Sequence, residues 1–203
     1  VAVLERLGAE VVFPREQTCC GQLHLNSGYA REAALLGERF ARVFEGHETI
    51  VSPSGSCVAH VREHVASPVA GRVLELSEYL VDVLGVEDVG SEYRGSLTYH
   101  PTCHSLRLLR VGDRPQRLLR AVPGATLHEL PAAEECCGFG GTFAVKNAAV
   151  SSAMLDEKIG NVLASGADAV TACDSSCLLH IGGGLRRRGA SVRAVHLAEV
   201  LAG

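Results

Sequence analysis

A Cys-Cys-Gly triplet occurs twice in this chain, at residues 19–21 and 136–138, and each copy is followed far downstream by another cysteine in register, Cys57 and Cys177. The segments around them repeat as well. GAEVVFPREQTCCG (8–21) matches GATLHELPAAEECCG (124–138), IVSPSGSCVAHV (50–61) matches AVTACDSSCLLHI (169–181), and RVLELSEYL (72–80) matches SVRAVHLAEVL (191–201). Self-similarity of this kind marks a duplicated structural unit. Whatever fold the chain adopts must therefore be built twice and must gather the cysteines of each copy in equivalent places. Cys103 and Cys173 complete the set of eight.

The periodicities assign the repeated unit to the α/β class. Residues 30–43 carry apolar positions at helical spacing, as do 105–110, 115–121, 147–163 and 178–187. Short apolar runs at 48–52, 96–100, 126–130 and 169–171 read as strands, and the stretch before the first Cys-Cys-Gly is a further β-like segment. A helix is expected to begin within 58–65. Strands alternating with helices imply parallel sheets flanked by helices, arranged here as two tandem pseudo-symmetric repeats. Gly90, Ser91 and Gly95 interrupt the apolar pattern, which divides the chain into 1–90 and 91–203. The second copy opens with a strand leading into His100-Pro101-Thr102-Cys103, for which the first copy shows no counterpart. The first repeat is thus expected to be truncated at its N-terminus, with roughly 20–30 residues and another cysteine preceding Val1 in the native protein.

In parallel sheets, functional residues collect at the loops beyond the carboxyl ends of the strands. All the cysteine segments fall at such loops, so they can converge despite their separation in sequence. Soft thiolates select zinc, copper(I) or iron–sulfur clusters. Adjacent Cys136 and Cys137 do not form the compact knuckle usual in a structural zinc site, but they can serve two irons of one cluster. Gly138 is expected to let the backbone approach the inorganic atoms, and a helix starting soon after would aim its amides at a negatively charged site. In the first copy Pro53 stands where the second has Cys173. The candidate ligands are therefore Cys19, Cys20 and Cys57 in one half, and Cys103, Cys136, Cys137, Cys177 and Cys173 in the other. Cys173 is read as a ligand or a nearby redox thiol, against the alternative of an incidental buried thiol. His60 and His180 follow Cys57 and Cys177 by one helical turn, while His100 and His104 flank Cys103. Each either supports the site from behind its ligands or packs as an ordinary histidine.

Composition excludes several classes of function. Hydrophobic residues at 47% and charged residues at 21% describe a globular chain rather than a disordered one. A net charge of −4 without a basic stripe argues against nucleic acid, and Arg186–Arg188 read as a solvated helix end. No run of apolar residues is long enough for a transmembrane helix. No secretion signal is visible, and patterned thiols suit a reducing compartment, so a cytoplasmic location is expected. There is no dinucleotide fingerprint and no Ser-His-Asp arrangement.

These residues resemble the cysteine-rich CCG domain family, which includes a component of heterodisulfide reductase, the iron–sulfur subunit of glycolate oxidase and the lactate utilisation protein A group. The resemblance covers essentially the whole chain. It is carried by QTCCGQLHLNSGY (17–29), SPSGSC (52–57), YHPTCHS (99–105), EECCGFGGTFAVK (134–146) and DSSCLLHI (174–181). It implies an iron–sulfur protein, most simply with a [4Fe-4S] cluster, that transfers electrons in an L-lactate-oxidising system together with other protein subunits. Ligation by Cys103, Cys136, Cys137 and Cys177, and by symmetry Cys19, Cys20 and Cys57, is part of that implication. Two alternatives stay open: a cluster-dependent thiol-disulfide reductase using Cys173, and a zinc-stabilised interaction module without enzymatic activity. The heterodisulfide-reductase pattern ends in two cysteines separated by two residues, whereas three separate Cys173 from Cys177 here.

Overall fold

The computed structural model describes all 203 residues. The first half contains α1 (Ala2–Arg6), α2 (Gln22–Asn26), α3 (Ala30–Phe44), β1 (Ile50–Ser52), α4 (Gly55–His64), β2 (Val73–Glu75) and α5 (Leu76–Glu78), the last running on as a π-helical turn over Tyr79–Val83. In the second half β3 (Gly95–Tyr99) leads through a π-helical turn (His104–Leu109) to α6 (Arg114–Ala121) and β4 (Ala125–His128). There follow α7 (Phe143–Lys146), α8 (Ala148–Ala164), β5 (Ala169–Ala172), α9 (Ser175–Arg187), β6 (Arg193–His196) and α10 (Leu197–Ala202). No helix is long and apolar enough to cross a membrane.

Both sheets are parallel. β1 pairs with β2, and the second sheet has the order β4-β3-β5-β6. Parallel neighbours require crossover connections, which the helices between the strands supply. The series β1-α4-β2-α5 repeats as β5-α9-β6-α10, so the chain is a tandem of α/β units.

The second sheet is covered on both faces, which is why every residue of β5 is apolar or small and fully enclosed. Alternation along β5 divides the packing. Ala169 joins a core with Leu97, Tyr99, Leu118 and Leu201, whereas Val170 joins one with Leu155, Ile159, Ile181 and Leu185 from α8 and α9. The first of these cores also takes Val3, Leu76, Leu80 and Val89, so first-half residues pack directly on the second sheet.

Two local expectations require correction. The apolar segment before the first Cys-Cys-Gly forms no ladder, and Val12 and Phe13 are 61% and 68% exposed. Its counterpart β4 is held by pairing with β3, and no strand lies beside Val11–Phe13 to do the same. The free edge of β1 instead borders a cavity of about 720 Å³ lined by Val11, Phe13, Phe44 and Ile50 as well as by Cys19, Cys20 and Cys57. Helices α4 and α9 also start earlier than the apolar spacing indicates, at Gly55 and Ser175. Serines that weaken a helix interior suit its first turn, and extended Ser54 caps α4 by accepting from the Cys57 amide at 3.4 Å.

Candidate metal centre

The site is assembled at the carboxyl edge of the second sheet, where the loops after β3, β4 and β5 meet. β3 ends at Tyr99 and delivers His100 and, three residues on, Cys103. The long loop after β4 carries Cys136 and Cys137. β5 ends at Ala172, and Cys177 lies at the third position of α9. Cys57 occupies the same position in α4, so both copies place a thiol in the first turn of a helix, where the positive end of the dipole favours thiolate.

Four thiols form a continuous set. Cys103 contacts Cys136, Cys136 contacts Cys137, and Cys137 contacts Cys177. A ring nitrogen of His100 and the sulfurs of Cys137 and Cys177 lie within 4.8 Å of one another, all three residues being buried. Charge is shared unequally in this set. Hydrogen bonds from Cys103 and Cys137, with the Gly138 amide behind them, hold the Cys136 thiol well below the ordinary range. Cys177 is lowered to about 6, first by its contact with Cys137. Cys103 and Cys137 are pushed up, chiefly by the contact each makes with Cys136. Thiols this close cannot all ionise against one another. A soft cation that replaces their protons removes that conflict, and the donor set fits such a cation.

The first half brings together fewer donors. Cys20 and Cys57 are in contact, and Cys57 is lowered to about 7, first by its hydrogen bond with Cys20. Cys19 is exposed at the rim of the cavity, where its sulfur accepts from the Gly21 amide at 3.5 Å. The same contact recurs in the second copy, from the Gly138 amide to Cys136 at 3.3 Å.

Cys173 stands apart. It is fully buried, its sulfur lies 3.5 Å from the Tyr99 hydroxyl and faces Glu75, and it packs in the core of Leu97 and Leu118. Burial pushes its thiol far up. The remaining histidines take outer positions. His180 reaches Ser151 Oγ at 3.4 Å and sets its ring edge-on to Phe139. His60 is buried against the Cys20 backbone, with its ring 5.1 Å from that of His64. His104 lies 3.8 Å from the Cys103 sulfur through Nδ1 and 2.8 Å from Gln22 Nε2 through its other nitrogen, linking the two cysteine loops.

Gly138 is also pressed against α8. Its φ is +85°, and a Cβ there would fall 2.6 Å from the Ser151 carbonyl oxygen on α8. The glycine thus permits a left-handed turn pressed against a helix, and the next helix, α7, has only four residues. The positive helix end that meets the thiols belongs to α9. Gly138→Ala is expected to cost about 2–4 kcal/mol, from backbone strain plus displacement of α8 or the loop. Urea unfolding of the apo chain measures this, and an unchanged midpoint would refute the account.

Two residues at the site are missing from the expected set. Lys158 is 1% exposed and donates to the carbonyls of Ala132 at 2.8 Å and Ala133 at 3.3 Å, fixing the loop that leads to Cys136. Ala132 is held there at a φ of +46°. Burial draws the Lys158 ammonium below its usual range, while Glu135 and the thiols Cys137 and Cys136 oppose the shift. Its spacing from Leu155, Ile159 and Val162 puts it on the buried face of α8, and that was the available signal. The second is Asp174, 2% exposed, whose carboxylate accepts from Ser54 Oγ (2.8 Å), Ser56 Oγ (2.6 Å) and Thr102 Oγ1 (2.8 Å).

A tandem α/β scaffold with paired Cys-Cys-Gly loops defines a class, and the profile of the cysteine-rich domain family matches residues 1–62 and 97–182. The chain belongs to this CCG family. It is similar to lactate utilization protein A from Oceanobacillus iheyensis, with 45% identity over 99% of this chain and 87% of that relative. The Geobacillus kaustophilus and Bacillus velezensis proteins of the same name are 47% and 46% identical over 99% of this chain, which spans 89% and 90% of their lengths.

Proposed function

We propose that the chain is an iron–sulfur electron-transfer subunit of an L-lactate-oxidising system in the cytoplasm, with one cysteine-rich unit in residues 1–90 and a second in 91–203. The observation that carries this reading is the meeting of Cys103, Cys136, Cys137 and Cys177 from three separate loops. Those four residues would hold a cluster, most simply [4Fe-4S], in the second half, and Cys19, Cys20 and Cys57 would supply thiolates in the first. When bound, such a cluster passes one electron at a time. Converting L-lactate to pyruvate releases two electrons and two protons, so a partner subunit meets the substrate and this chain carries the electrons onward singly. The chain's own groups define the environment: α9 turns its positive end to the thiolates, Lys158 adds a buried positive charge, and the Gly138 amide donates to Cys136.

A thiol-disulfide reductase acting through Cys173 is disfavoured because that sulfur is fully buried against Tyr99 and Glu75. A zinc-stabilised interaction module is the second reading, since the His100, Cys137 and Cys177 grouping is also a zinc-type donor set. Anaerobic determination of iron, acid-labile sulfide and zinc on the purified full-length protein separates them. Iron and sulfide in comparable amounts, with visible absorption that bleaches on reduction, are expected. Stoichiometric zinc with no iron or sulfide would overturn the electron-transfer reading.

A further inference from the structure

We propose that the His100 imidazole is itself a donor atom to the metal centre, so that the second half presents a mixed imidazole–thiolate set rather than thiolates alone. This rests on the reading of the cysteine grouping as a metal site. His100 is 1% exposed, and its Nδ1 is buried without any hydrogen-bond partner. A buried polar nitrogen left unpaired is unfavourable, so its environment calls for a partner. The ring also lies beside the thiol set: one of its nitrogens is within 4.8 Å of the Cys137 and Cys177 sulfurs, and the ring hydrogen-bonds Cys177.

The backbone fixes this placement. His100 continues β3, its amide donates to the Thr171 carbonyl on β5 at 2.8 Å, and Pro101 follows. The ring is therefore carried by the two central strands of the sheet and not by a free loop, as suits a ligand that has to be preorganised. The other nearby histidines have further contacts that hold them, although His104 also keeps its Nδ1 3.8 Å from the Cys103 sulfur. His104 bonds Gln22, His180 meets Ser151 and Phe139, and His60 lies against the first-half cysteines. Imidazole binds iron and zinc alike, so the donor assignment holds for either metal. A neutral imidazole beside the thiolates leaves the centre less negative than a further thiolate at that position would, which raises its reduction potential.

The test uses full-length protein reconstituted anaerobically with ferrous iron and sulfide, made once at natural abundance and once with ¹⁵N-histidine. Pulsed electron paramagnetic resonance of the reduced centre is expected to show a strongly coupled nitrogen that converts to the ¹⁵N pattern on labelling. The coupling should persist in His60→Ala, His104→Ala and His180→Ala. It should vanish in His100→Cys, which keeps a donor at the position, retains the iron and shifts the midpoint potential downward. Should the retained metal be zinc, absorption at the zinc edge should show a nitrogen scatterer that is lost in His100→Cys. A paramagnetic centre without histidine coupling, or one whose coupling survives His100→Cys, overturns this proposal while leaving the cluster reading intact. Protein that retains no metal at all overturns both.

Discussion

Cys137→Ser is expected to reduce the iron and sulfide of the second half to below roughly one tenth of the parent value, whereas Cys173→Ala leaves them unchanged. The contrast follows from where the two sulfurs point. Cys137 contacts both Cys136 and Cys177 and is 2% exposed, so it links the thiols of the β4 loop to the one on α9. A serine there is a hard, reluctant donor in place of a soft thiolate, and it divides the set in two. Cys173 touches Tyr99 and Glu75, and no other cysteine is among the groups that shift its thiol. Its truncation is a modest core substitution, costing about 1–2 kcal/mol of unfolding free energy. Parallel iron and sulfide assays on both variants, with circular dichroism to confirm folding, read the outcome. Full metal content in Cys137→Ser, or an equal loss from Cys173→Ala, would show that the thiols are gathered for another purpose.

The placement of Cys173 was within reach of the sequence through strand parity. Counting by twos along β5 puts Cys173 on the face of Ala169, opposite the face of Val170 that also packs Cys137 and Cys177. Pro53, at the equivalent position of the first copy, is exposed instead. The convergence of the other cysteines was legible because the chain repeats and because parallel strands send their following loops to one edge. The strand expected before Cys19 was not realised, since β pairing depends on a neighbour and not on local preference alone. His100 was legible as a residue near the site, but its unpartnered Nδ1 depends on what the folded sheet leaves around it. Asp174 was the least legible. In sequence it occupies the N-cap of α9, yet it makes no side-chain cap there and turns to the other half instead.

Asp174→Ala is expected to destabilise the apo chain by roughly 3–5 kcal/mol and to lower Tm by about 6–15 °C. The carboxylate is the meeting point of the two halves. It accepts from the Ser54 hydroxyl at the cap of α4, from the Ser56 hydroxyl at 2.6 Å and amide at 3.2 Å, and from Thr102 in the loop before Cys103. Beside it the Gly55 amide donates to the Cys173 carbonyl at 3.3 Å, and a Cβ at Gly55 would collide with Ser105 Oγ. The N-termini of α4 and α9 are therefore pressed against each other, and two positive helix ends at such range repel unless an anion lies between them. Asp174 is that anion. Removing it takes an acceptor from the buried Thr102 hydroxyl and from the half-buried Ser54 and Ser56 and restores the repulsion, whereas Ser54→Ala removes one bond from the group and costs only about 0.5–2 kcal/mol. Because Cys57 and Cys177 sit in the first turns of these same helices, Asp174→Ala is also expected to disturb the thiols of both halves, whereas Ser54→Ala, through the bond of Ser54 to Cys57, reaches those of the first half only. Combining Ser56→Ala with Asp174→Ala should give a coupling energy of about 1–3 kcal/mol in unfolding experiments. Additive effects, or a Tm unchanged in Asp174→Ala, would mean that the halves are held together by the shared core of Leu76, Leu80 and Leu97 alone.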